Sequence, residues 1–238
     1  MKGVLSAHQP NFLPYLGFFD KMAKSDIFVI RDEVQFSARD WQHRNKIRVQ
    51  GLDKEGNGNC KWVTVPVDKQ QIDIKEIPIK TDTKVKNVPA LQYVARQIEA
   101  NYHTAPYFND YFPQLNEILS NGHKQLIDLN MEIIMFLRDA FGLKTKIVKA
   151  TELPGYEKVF DATGDLVNLC LAADASTYIS GAGGKKYLNH EEFQKAGINL
   201  EFQNYKHPVY QQNFQGFAPY MASVDALFNV GGLTENSD

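Results

Sequence analysis

What most restricts the fold of this chain is the order of its first three patterned runs. Residues 4–7 are apolar or small and stop at His8-Gln9-Pro10-Asn11, the pattern of a buried strand ended by a proline. Residues 15–23 carry Leu16, Phe19, Met22 and Ala23 at helical spacing. Residues 26–30 are β-branched and aromatic and are bounded by Asp32, which reads as a second buried strand. Strand, helix and strand within about thirty residues form a βαβ unit, which predicts a parallel sheet.

The remainder extends this plan. Residues 47–49 and 61–67 read as strands on either side of the polar, glycine-rich stretch 51–59, a predicted exposed hairpin tip. Residues 72–80 alternate as a further strand. Helical periodicity covers 89–101, 112–119 and 126–141, with Asn121-Gly122 separating the last two. A strand is predicted at 146–150, a helix at 161–173, a strand at 177–180, a short helix at 191–196, a strand at 199–202 and a closing helix at 217–229. There is no internal repeat, low-complexity linker or heptad run. With 43% hydrophobic residues, the chain can build one substantial core. The expectation is a single α/β domain over residues 1–238, with a Rossmann-like, largely parallel sheet and a helical middle section.

Charge narrows the partners. The formal net charge is −2, whereas a dedicated nucleic-acid binder draws most of its affinity from a basic excess. The one dense basic stretch, residues 39–48, suits an anionic small molecule better than a duplex. Cys60 and Cys170 belong to no CxxC pair or Cys/His ligand set, so no metal site is assigned and both read as reduced thiols of a cytoplasmic protein. No charged segment followed by an apolar one begins the chain, and no apolar run reaches about 18 residues, so neither secretion nor a membrane span is expected.

Chemistry is expected where predicted strands end, because ligands of open α/β sheets bind outside the carboxyl ends of their strands. His8 ends the first strand and can serve as an acid/base group, with Gln9 and Asn11 as neutral orienting groups. Asp32 and Gln35 follow the second strand, where a carboxylate can orient a histidine, hold magnesium or bind a sugar hydroxyl. Trp41, Arg44, Asn45 and Lys46 combine a stacking ring, cations and an amide suited to a phosphate. Ser180, Gly181, Gly183, Gly184 and Tyr187 form a glycine-rich loop that lets backbone N–H groups approach an anion, without P-loop or dinucleotide spacing. A tight turn with positive φ would explain the same glycines. Asp225 and Asn229 share one face of the closing helix.

The string from Ser6 to Lys21, with His8-Gln9-Pro10-Asn11-Phe12-Leu13-Pro14-Tyr15-Leu16-Gly17 at its centre, resembles the opening of the WbqC-like protein family. The resemblance continues through Asp32-Glu33-Val34-Gln35-Phe36, Asn45-Lys46-Ile47, Tyr178-Ile179-Ser180-Gly181 and Asp225-Ala226-Leu227-Phe228-Asn229. It implies a role in bacterial surface-polysaccharide or other biosynthetic pathways, with acyl or aminoacyl transfer to an amino sugar as one fitting reaction. In layout, the first βαβ unit is also similar to nucleotidyltransferases of the HIGH superfamily. Those carry two histidines after the first strand, where this chain has Tyr15, Leu16 and Phe18.

The functional expectation is therefore a transferase acting on a nucleotide-linked sugar or a carrier-bound acyl substrate, with no cofactor identified. His8 would be the acid/base group, oriented by Asp32 or Asp225. The other class considered is a non-catalytic binding protein for a phosphorylated metabolite.

Overall fold

Parallel strands must each return to the same end of the sheet, and here the chain does so through helices and one long excursion. The computed structural model describes residues 3–233. It opens with β1 (Gly3–His8), α1 (Leu16–Ala23) and β2 (Ile27–Ile30). The excursion follows: β3 (Arg44–Leu52), β4 (Gly58–Thr64), β5 (Lys84–Val85), β6 (Val88–Pro89), α2 (Ala90–Tyr102), α3 (Phe108–Ser120) and α4 (Leu126–Ala140). The chain then forms β7 (Lys146–Lys149), α5 (Ala162–Ala172), β8 (Ala175–Ser180), α6 (His190–Lys195), β9 (Asn199–Phe202) and α7 (Val224–Val230). Its contacts divide it into two compact units.

The first unit comprises Met1–Gln9, Gly17–Val34 and Leu143–Tyr205. Its five-stranded sheet has the order β7-β2-β1-β8-β9, and every adjacent pair is parallel. Alternation along β1 sends successive side chains to opposite faces. Leu5 and Ala7 join an apolar cluster with Leu166 and Leu169 of α5 and Phe193 of α6. Ser6 and His8 meet α1 and the residues just after it instead: the Ser25 hydroxyl, two residues past that helix, donates to the Ser6 hydroxyl, and the Phe18 ring stands edge-on to His8 at 4.9 Å. Phe18, Phe19 and Met22 of α1 are fully buried. Each such side chain contributes about 1.5–3 kcal/mol by leaving water.

Strand order locates the crevice. From β1 the chain steps to β2 and then β7 on one side, and β8 then lands on the other side of β1. This reversal separates the flanking helices and opens a space beyond the carboxyl ends of β1 and β8.

The second unit comprises Pro10–Leu16, Gln35–Gly142 and Lys206–Asp238. It contains the antiparallel hairpin β3–β4, the helical middle section α2–α4 and α7. Arg48 is wholly buried, and its guanidinium donates to the carbonyls of Val49, Gly51, Asn59 and Gln215. Gly58 makes room for it, since a Cβ there would lie 2.6 Å from Arg48 Nε. A buried hub surrounds Asp225, whose carboxylate accepts from the Tyr102 hydroxyl, the Tyr210 hydroxyl and Gln212 Nε2, each at 2.8 Å. Asn229, one turn on, donates to the Asp225 carbonyl at 2.7 Å, as their shared face predicts.

Two sequence expectations are corrected, and one alternative reading falls away. Residues 72–80 are not a strand. A 3₁₀ turn at Ile74–Glu76 interrupts them, because a three-residue turn puts Ile74 and Ile77 on the same side and Pro78 has no N–H for a ladder. The closing helix covers only Val224–Val230, since Pro219 lacks an N–H and Tyr220 sits at φ 59°, outside helical space. Gly181, Gly183 and Gly184 are not at positive φ; residues Ala182–Lys186 wind as a 3₁₀ helix. Gly184 is there for space, because a Cβ would lie 2.2 Å from Ser180 Oγ.

Candidate functional site

The crevice of the first unit holds a cavity of about 560 Å³, lined by His8 of β1 and Gln9 just after it, and by Tyr178 and Ser180 of β8 and Gly181 just after it. Lys21 of α1, Arg31 after β2, and Lys158 and Asp165 supply its charges. The exposed rings of Phe160 and Tyr187 stand at its edge. Gly181 and Gly183 present bare backbone, and a Cβ at either would meet nothing within 4 Å.

His8 Nδ1 lies 2.9 Å from the Gln9 carbonyl oxygen. A carbonyl only accepts, so the proton belongs on Nδ1 and the lone pair on Nε2. Burial, and then the nearby Lys21 ammonium, push the imidazole pKa down to about 3, with the Gln9 carbonyl opposing. The ring is therefore neutral at physiological pH. Lys21 is only 3% exposed and donates to the Ala7 carbonyl at 2.8 Å. Burial pushes its pKa down to about 7.

The other charges of the cavity belong to an ion network. Arg31 pairs with both Glu33 and Asp165, and the Tyr156 hydroxyl donates to Asp165 at 2.8 Å. Burial works against the Arg31 charge, but the Glu33 and Asp165 carboxylates more than offset it and its pKa rises. Lys158 donates to the Glu33 carbonyl. Among the described residues, Glu33 Oε2 is buried with no hydrogen-bond partner. These charges hold one another and shape the wall before any ligand arrives.

The sequence profile of the WbqC-like protein family matches residues 9–236. The chain belongs to this family. It is also 31% identical over 226 residues to an uncharacterized protein, Rv1507c, of Mycobacterium tuberculosis, covering 94% of this chain and 92% of that one.

In this WbqC-like chain the candidate residues fall into two groups. His8, Gln9, Ser180, Gly181, Gly183, Gly184 and Tyr187 line the cavity of the first unit. Asp32 also lies in that unit, but both its oxygens accept from Thr151, through the backbone N–H at 3.1 Å and the hydroxyl at 2.6 Å. The remainder belong to the second unit. Asn45 Nδ2 donates to the Leu13 carbonyl at 2.5 Å, holding a turn in which Leu13 adopts φ 45°. Asn11 is buried in the same turn, and the Gln35 amide donates to the Gln71 carbonyl. Arg44 and Lys46 lie over the Trp62 ring at 4.5 and 5.3 Å, with Trp41 beside it. Asp225 is the centre of the tyrosine and glutamine hub.

Sequence reasoning missed Lys21, Arg31, Lys158 and Asp165. Lys21 had a readable signal: it lies three residues after Phe18, so it shares the buried face of α1. Asp165 and Lys158 had none, because only the crossover to β8 carries them to the end of β1.

Proposed function

We propose that the chain is a transferase of a bacterial surface-polysaccharide or related glycoconjugate pathway, working in the cytoplasm. Its substrate is an anionic molecule, a nucleotide-linked sugar or a carrier-bound acyl or aminoacyl group, bound in the cavity at the ends of β1 and β8. The observation that carries this reading is the contact of His8 Nδ1 with the Gln9 carbonyl at a cavity also lined by Lys21, Arg31 and Lys158: with Nδ1 so engaged, the lone pair falls on Nε2.

On this reading an acceptor hydroxyl or amine hydrogen-bonds to His8 Nε2 and attacks the electrophilic carbon of the donor. The new bond forms as the nucleotide or carrier leaves with its electron pair, and the acceptor proton passes to Nε2. An anionic substrate beside His8 opposes the Lys21 ammonium and draws the imidazole pKa upward, making it a better base when the site is full. Tyr187 and Phe160 provide faces for a base or sugar ring.

The test is a thermal-shift screen of nucleotide sugars, nucleoside triphosphates and acyl thioesters, followed by turnover assays with His8→Ala. A true ligand at 100 times its Kd should stabilise the protein by about 2.7 kcal/mol. His8→Ala should fold, bind the donor and lose turnover by about 10²-fold or more. Full turnover in that variant would refute the assignment. Ligand binding without product from any co-substrate would instead make the chain a binding protein.

A further inference from the structure

Lys21 is a cation that the first unit buries without a counter-ion. The residue is 3% exposed; its ammonium lies over the Phe28 ring at 5.9 Å, and its one side-chain hydrogen bond among the described residues goes to the Ala7 carbonyl. An ammonium has three donors, so two are left over. Aspartates of the same unit have partners of their own. Asp20 accepts from Lys24 and Gln203, Asp26 from the Val4 N–H, Asp32 from Thr151, and Asp165 from Arg31 and Tyr156. A buried charge with no counter-ion costs several kcal/mol. Proteins keep such a group where something else completes it, and Lys21 lines the cavity.

We propose that Lys21 is the counter-charge for a phosphoryl group of the substrate, which enters the cavity past His8 and takes the two unused ammonium donors. This rests on the functional reading above and narrows it, placing the anionic end of the substrate at the α1 wall of the first unit. Arg31 does not compete for that end, since Glu33 and Asp165 hold its guanidinium. The other charged groups facing the same space are Lys158 and Asp165, with His8 neutral. The bare backbone of Gly181 and Gly183 leaves the phosphoryl oxygens room on the β8 side. An ammonium is a compact point charge suited to phosphate, and the phosphate in turn would hold it protonated.

Calorimetric titration of wild type and Lys21→Met with inorganic pyrophosphate, and with malonate as a carboxylate control, tests this. Pyrophosphate should bind wild type and bind Lys21→Met at least about tenfold more weakly, because charge-assisted bonds are lost. Malonate should bind wild type more weakly than pyrophosphate. With sulfate, whose charge is constant near neutrality, wild-type affinity should fall as the pH rises above about 7, while Lys21→Met stays flat. Equal pyrophosphate affinity in the two proteins, or a preference for malonate, overturns the proposal. If Lys21→Met does not fold, acetic anhydride labelling of wild-type Lys21 decides, read by mass spectrometry: pyrophosphate should protect it, and no protection overturns the proposal. Should a nucleotide sugar or acyl thioester stabilise both proteins equally, this inference falls and the functional reading stands. Should neither pyrophosphate nor any such compound bind wild type, the functional reading itself fails.

Discussion

His8 and Lys21 are both held in environments that favour their neutral forms, and this has a consequence for stability. Both folded-state pKa values are depressed, so the stabilising contribution is complete above the unfolded-state pKa and is lost as pH falls toward the folded one. For Lys21 that window runs from 10.5 down to about 7, and for His8 from 6.5 down to about 3. Between pH 7 and 10 the stability of wild type should therefore rise with pH relative to Lys21→Met, by about 1.4 kcal/mol per pH unit. Urea melts of both proteins across this range measure the difference. Parallel curves would mean that Lys21 titrates as an ordinary surface lysine. The sequence shows His8 plainly, at the end of an apolar run before a proline. It hides the state of the ring, because the ammonium that depresses it comes from α1 and the carbonyl that selects its tautomer depends on backbone direction.

At the scale of elements, α7 is short, and its seven residues are anchored by one carboxylate. Asp225 is wholly buried, and burial raises its pKa while the Tyr210, Tyr102 and Gln212 hydrogen bonds oppose. Asp225→Ala should strand three buried donors and cost about 3 kcal/mol or more in chemical denaturation, with Asp225→Asn losing less. If both variants unfold at the wild-type midpoint, the hub does not hold α7. Most elements were legible from periodicity: β1, α1 and β2, the β3–β4 hairpin, and α2 to α6 lie within a few residues of expectation. The failures have local causes. Proline at positions 78 and 219 removes a donor without announcing whether a strand or a helix suffers, and a glycine looks the same in sequence whether it serves positive φ or, like Gly184, close packing.

Over the whole molecule, two features follow from where the chain's contacts fall. No helix among the described residues is long and apolar enough to cross a membrane. The two thiols are chemically unequal: Cys170 is buried, with its pKa pushed up to about 12 by burial, whereas Cys60 is partly exposed. A thiol reagent should therefore modify one cysteine quickly in the native protein and both after denaturation, as mass spectrometry would count. Two fast native sites would contradict the packing of α5 against the sheet. The sequence by itself determined the α/β class, the parallel opening unit, the helical middle and the family, because these depend on short-range periodicity and on contiguous strings. The tertiary structure alone decided which polar residues meet. The strand order β7-β2-β1-β8-β9 brings His8, Lys21, Arg31, Asp165 and Ser180 around one cavity, whereas Asp225 is committed to its own hub. The physical reason is that such meetings are set by where crossovers land across a sheet, and a crossover leaves no mark in the residues that it joins.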